Sequence, residues 1–214
     1  MLKSADSGGL RERKKAELKR RIAETALALV RERGYDGTTI EEIVRRVDVS
    51  QPTFYKYYPS KDAILLEYAM SAFGPLLVAA QTRAPTVEQS LLSFLQALAT
   101  QMTKDRELWR AIALSDAYNP IRNPELLDER AVSTRIVEQV IELGQTRGEF
   151  TPDFSARKLA SLLEAIVFRT CVEWGANFPK PHALTASIRE SFELFVRAAR
   201  PATSQNKPGR RRAR

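Results

Sequence analysis

Ile40, Ile43, Val44 and Val47 fall at i, i+3, i+4 and i+7, one apolar face over about two helical turns. Thr39 followed three residues later by Glu42 is a capping box, which starts that helix. Asp48-Val49-Ser50 interrupts the pattern, Ser50 offers a new N-cap, and Pro52 sits where a first turn does not need its N–H. A second helix therefore begins about three residues after the first ends, which is helix-turn-helix spacing. Within it Phe54 and Tyr58 are i, i+4 partners on an inward face. Gln51, Thr53, Tyr55, Lys56 and Tyr57 point elsewhere. An amide, a hydroxyl with a methyl and an ammonium suit base edges, and tyrosine hydroxyls and Lys61 suit phosphate oxygens.

The rest of the chain predicts helices at roughly 61–81, 86–102, 104–118, 123–147, 154–175 and 183–199. Pro85-Thr86, Asn119-Pro120, Asn123-Pro124, Gly148, Pro152-Asp153 and Pro179-Lys180-Pro181 punctuate them. No segment shows the alternation of a strand, so the fold class is all-α. The expected organisation is a disordered 1–9, a three-helix helix-turn-helix domain at 10–60, a six-helix domain at 61–200 and a disordered basic tail at 201–214. Two helical units sharing the fourth helix are enough to bury a core.

The last two helices predict an association surface. Helix 154–175 has an apolar arc too wide for one domain to cover, including Leu162 and Ile166, with small residues Ala160, Ser161, Ala165 and Gly175 for close approach. Ile188, Phe192 and Phe195 stripe the last helix, and two such helices from each of two subunits make a four-helix bundle. In the middle helices Phe73, Phe94, Met102, Trp109, Phe168, Cys171 and Trp174 are candidates to line a cavity. Ser115, Asp116, Asn119, Arg169 and Glu173 are the polar residues nearest them in sequence.

Charge adds a division of labour. The chain is +8, yet residues 1–62 hold 14 Lys/Arg against 10 Asp/Glu, residues 201–214 hold 5 against none, and residues 63–200 hold 15 against 16. Basic ends around a near-neutral middle predict nucleic acid at the ends and another partner in the middle. The run RERKKAELKRR at 11–21 extends the phosphate footprint or forms a solvated helical face. The Pro/Gly-containing tail lacks apolar periodicity and predicts non-specific DNA affinity.

Catalysis has few candidates. His182 lies in a PKPH linker and Cys171 inside an apolar helix, too few His and Cys for a zinc site and poorly placed for a nucleophilic triad. Neither a glycine-rich phosphate loop nor a paired acidic metal motif appears, so no catalytic residue, metal or cofactor is expected. Absence of a signal peptide and of a long apolar run predicts a cytoplasmic protein with no membrane contact.

Residues 22–65 resemble the N-terminal domain of the TetR family of transcriptional regulators. The match lies in the first helix ending RERGYDGTT, the IEEIV helix, the VSQPTFYKYYPSK segment and Lys61-Asp62-Ala63-Ile64-Leu65. The resemblance implies that Thr39, Lys61, Tyr55 and Tyr57 contact the DNA backbone, and that Gln51, Pro52, Thr53 and Lys56 face the bases. Three departures stand out: Val44 and Asp48 replace the usual alanine and glycine, and Tyr57-Tyr58 replaces a His-Phe pair. The family further implies nine helices, a homodimer on a palindromic operator and a small-molecule effector in the middle domain. A ligand-responsive repressor is thus the expected function. A nucleoid-type binder without ligand control and an all-α enzyme are the alternatives.

Overall fold

A computed structural model describes residues 5–81, 84–115, 127–178 and 183–201, and every regular element among them is an α-helix. They are α1 (Ala5–Arg33), α2 (Ile40–Val47), α3 (Gln51–Tyr55), α4 (Lys61–Gln81), α5 (Val87–Lys104), α6 (Arg106–Leu114), α7 (Leu127–Thr146), α8 (Ala156–Ala176) and α9 (Leu184–Ala199). The all-α, nine-helix expectation holds over the described residues.

The caps act as the sequence predicts, with one change. Thr39 Oγ1 accepts from the Glu42 N–H at 3.2 Å and Ser50 Oγ from the Thr53 N–H at 3.3 Å. The Glu42 carboxylate goes to Arg45 at 2.6 Å and lies 3.3 Å from Arg46, so ion pairs take the place of the reciprocal half of the capping box. Asp48 adopts φ 60°, the left-handed conformation of the turn, which a short polar side chain tolerates better than most. Helix α1 starts at Ala5, within the stretch expected to be disordered. Once nucleated in the Lys/Arg/Glu-rich segment, it extends backward without a new nucleus. Helix α6 stops at Leu114 rather than 118, where Ser115 turns extended with its N–H on Ala111 O. The expected start of α7, the Pro179–Pro181 punctuation, His182 and the basic tail beyond residue 201 lie outside the described residues.

The chain divides into two compact units, within α4 rather than at residue 61. Unit one holds α1 to α3, the first half of α4 through Ser71, and α6. Its core joins Ile22, Ala26 and Leu29 of α1, Ile43, Val44 and Val47 of α2, Phe54, Tyr58, and Ala63, Ile64 and Leu66 of α4. Unit two holds the second half of α4, α5 up to Thr103, and α7 from Arg130 through α9. There the Phe195 ring meets Phe150 edge-on and Phe192 at a tilt, each at 6.1 Å between ring centroids. A Cβ at Gly144 would overlap the Phe150 ring, so only glycine fits. Glu149 closes the start of α5, accepting from Val87 N–H at 2.7 Å and Glu88 N–H at 3.1 Å.

One expectation needs correction. By length and composition, Lys61–Ala80 of α4 is apolar enough to cross a bilayer, with a mean hydropathy of 1.7. A third of that stretch is buried, including Ala63, Ile64, Leu65, Leu66 and Ala69 of its first half, and Ala63, Ile64 and Leu66 belong to the core of unit one.

Candidate functional site

Helix α3 is only five residues long and is held by what it buries. Phe54 is fully buried and Tyr58 is 2% exposed, so the i, i+4 pair does face inward. Removing a buried phenyl ring costs about 3 to 5 kcal/mol, against about 5 to 15 kcal/mol for a whole domain. The docking of α3 therefore depends on Phe54. On the opposite side Pro52, Tyr55 and Lys56 are exposed, with Tyr55 at 52%.

The other candidates are less free. Gln51 is half-buried, and its Nε2 donates to Glu41 Oε1 of α2 at 3.0 Å, an arrangement that orients its amide. The Thr53 hydroxyl sits 2.9 Å from Ser50 Oγ inside the helix cap, and the residue is half-buried. Tyr57 is half-buried and packs against the core cluster rather than pointing wholly away from it. Thr39 is exposed, with its hydroxyl oxygen already accepting as an N-cap.

Lys61 opens α4 and reaches back to the loop between α1 and α2. Its Nζ donates to Tyr35 O at 2.8 Å and Thr38 O at 2.9 Å, and it lies 3.8 Å from the Tyr35 ring centroid. Burial holds this ammonium below the usual lysine range, partly offset by Asp62 and Asp36. With two of three N–H groups committed, one donor remains for a phosphate.

A second set of contacts binds these helices together, and sequence reasoning missed it. Tyr58 OH donates to Glu67 Oε1 at 3.1 Å, and Lys19 Nζ meets Glu67 Oε2 at 2.7 Å, which ties α1, α4 and the end of the recognition segment. Arg31 grips Asp105 by donating from Nε to Oδ1 at 3.2 Å and from Nη2 to Oδ2 at 2.7 Å, a bidentate pair linking the last turn of α1 to the residue before α6. Asp105 stands at the N-cap of α6 yet makes no capping bond, its carboxylate being taken by Arg31. Lys19 and Glu67 lie 48 residues apart and Arg31 and Asp105 lie 74 apart, separations that no local pattern encodes.

Of the seven residues expected to line a cavity, six lie in unit two and Trp109 in unit one. Phe73 and Phe94 touch at 5.8 Å between ring centroids, and Met102, Cys171 and Trp174 are buried, all within unit two. Trp109 lies 5.6 Å from the Tyr68 ring, and its buried Nε1 has no hydrogen-bond acceptor among the described residues. Phe168 is 40% exposed, on the outer side of α8. Asp116 and Asn119 lie outside the described residues. Burial lifts the Cys171 thiol to about 12, so it behaves as a small apolar residue.

The association stripe also needs correction. Ile188, Phe192 and Phe195 are between 0 and 2% exposed inside their own subunit, because α9 turns its aromatic face toward Phe150 and α8. What remains outward is Leu162 at 41%, Phe168 at 40% and Leu194 at 64%, with Ser161 and Ala165 exposed between them and Ile166 half-buried.

Known proteins extend this geometry. The family model for bacterial regulatory proteins of the tetR family matches residues 22–68. The Bacillus subtilis HTH-type transcriptional regulator YuxN, uncharacterized, is 44% identical over 50 residues, 23% of this chain and 17% of that protein. The Streptomyces glaucescens HTH-type transcriptional regulator TcmR is 34% identical over 83 residues, 39% of this chain and 36% of that protein. The chain thus spans well under half the length of these two relatives. Thermus thermophilus FadR, a TetR-family transcriptional repressor in complex with lauroyl-CoA, shares the fold at a TM-score of 0.74 and 22% identity, covering 89% of this chain and 100% of that one. The helix-turn-helix segment, residues 22–68, thus matches the tetR-family model, and the chain shares the fold of a TetR-family structure.

Proposed function

We propose that the protein is a dimeric, ligand-responsive transcriptional regulator, a repressor that leaves a palindromic operator when an apolar or aromatic small molecule occupies its helical domain. The carrying observation is α3, a short helix anchored by Phe54 that offers Gln51, Tyr55 and Lys56 outward next to a left-handed turn. A dimer suits the outward apolar face of α8, and a two-fold pair of recognition helices suits a palindrome. Two features support ligand coupling: α4 runs from Lys61 into the second unit, and Arg31 joins α6 to α1. A nucleoid-type binder has no use for the large near-neutral helical portion. An enzyme would need a reactive group that the buried Cys171 does not supply.

Selection of bound duplex from a random pool tests the DNA reading, and a palindrome is the expected product. Titration with lauroyl-CoA, and with a panel of aromatic small molecules, tests the effector. A ligand shifts DNA binding only by its differential affinity for two conformations, typically about 5- to 150-fold, and operator must weaken ligand binding by the same factor. Equal ligand affinity with and without saturating operator would contradict the inducer mechanism.

A further inference from the structure

The first half of α1 carries charge that its own domain leaves unmatched. From Ile22 onward the helix buries Ile22, Ala26 and Leu29 at i, i+4 and i+7. Going back from Ile22 along the same stripe, the chain places Leu18, Lys15 and Arg11, so the inward face turns cationic where it leaves the core. Residues 9–17 are all exposed. Lys19 and Arg20 are paired with Glu67, Glu17 and Glu24, whereas Arg11, Arg13, Lys14 and Lys15 form no ion pair among the described residues.

Beside this segment lies a groove of about 660 Å³. Leu10, Arg13, Lys14, Glu17, Leu18 and Arg21 form its α1 wall, and Val47–Val49 form the other. Arg21 Nη2 donates to Val47 O at 3.1 Å, which fixes that wall to the end of α2. Glu17 is held by Arg20 at 2.7 Å and Arg13 Nε donates to Gly9 O at 3.4 Å, so Arg13, Lys14 and Arg21 are the cations of the α1 wall without an ion pair among the described residues, Arg21 being spent on Val47 O, with Asp48 on the opposite lip. The next residue, Ser50, is the N-cap of α3, so the groove adjoins the start of the recognition helix.

The geometry points to a second DNA-binding surface: the groove seats the sugar-phosphate backbone of the duplex flanking each half-site, with Arg13 and Lys14 as its phosphate contacts. The inference rests on the operator-binding reading above and adds a site to it. Charge complementarity selects the occupant, since unpaired cations over an apolar floor match phosphates separated by deoxyribose faces. Length agrees: the α1 wall from Leu10 to Arg21 spans about 18 Å of helix, about five steps of a duplex at about 3.4 Å of axis each.

The test measures binding of the full chain to its selected duplex at several salt concentrations, for wild type, Arg13→Ala/Lys14→Ala and the charge-matched control Arg11→Ala/Lys15→Ala, with helicity checked by circular dichroism. Each lost phosphate contact lowers the slope of log affinity against log salt by about 0.9. The groove pair should therefore lose about two units of slope, so its deficit shrinks about tenfold between 50 and 200 mM salt, while base preference stays unchanged. The control pair should lose clearly less. Trimming the duplex to its core should bring wild type down to the groove variant and leave that variant unaffected. Equal losses in the two variants, or indifference of wild type to trimming, would overturn the groove assignment, including the case in which the surface serves an acidic protein segment instead. Failure of the operator reading is distinct: it would show as no selected palindrome at all.

Discussion

The Tyr58 hydroxyl donates to Glu67 Oε1 at 3.1 Å, joining the end of the recognition segment to α4. Glu67 also holds Lys19 of α1 at 2.7 Å, and that ammonium lies 5.1 Å from the centre of the Tyr58 ring. Burial of the hydroxyl, reinforced by Glu67, raises the Tyr58 pKa well above the usual tyrosine range. Tyr58→Phe keeps the buried ring and removes one hydrogen bond, which should lower stability by about 0.5 to 1.5 kcal/mol without altering base preference. Urea unfolding checks the first part, and a loss of operator selectivity in this variant would mean that the hydroxyl contacts DNA directly.

Lys61 is expected to act first as a clasp on the loop after α1. Lys61→Met removes its bonds to Tyr35 O and Thr38 O, so thermal unfolding should begin earlier, by the equivalent of about 1 to 3 kcal/mol. Operator and random duplex should weaken by a similar factor. If stability is unchanged while DNA binding alone falls, the lysine is chiefly a phosphate contact.

Leu162 and Leu194 are exposed on the outer sides of α8 and α9. Leu162→Glu and Leu194→Glu should leave helicity intact and shift sedimentation from dimer toward monomer, because a buried, unpaired carboxylate is costly in an apolar interface. Phe192→Ala should behave differently, destabilising each subunit by about 3 to 5 kcal/mol. A dimer that survives both glutamates would move the interface elsewhere.

The Cys171 thiol is lifted by burial to about 12. Its raised folded value contributes stability that is complete below the unfolded pKa near 8.5 and is lost as pH rises toward the folded value. Native protein should therefore resist iodoacetamide at pH 8 and react once unfolded in denaturant. Rapid alkylation of the native form would place the thiol at an accessible surface.

Local pattern carried much of this fold. Capping residues and apolar spacing were enough to place α2, α3 and the buried pair Phe54 and Tyr58, since each depends on neighbours within four residues. The orientation of α9 was not legible: Phe192 and Phe195 lie on one stripe whether that stripe meets a partner or Phe150, and only the tertiary fold decides. Arg31–Asp105 and Lys19–Glu67 escaped for the same reason, being contacts between helical segments far apart in sequence. Trp109 is a different case. Its membership of unit one follows from α6 packing on α1, which composition cannot reveal.

The central claim is that α3 reads DNA bases, and it is tested most directly by operator affinity and base preference of Gln51→Ala and Lys56→Ala on a selected duplex. The Gln51 amide is already oriented by Glu41 and Lys56 is exposed, so each substitution should cost about 1 to 3 kcal/mol and relax preference at one position per half-site. Unchanged affinity and unchanged base preference in both variants would contradict the account.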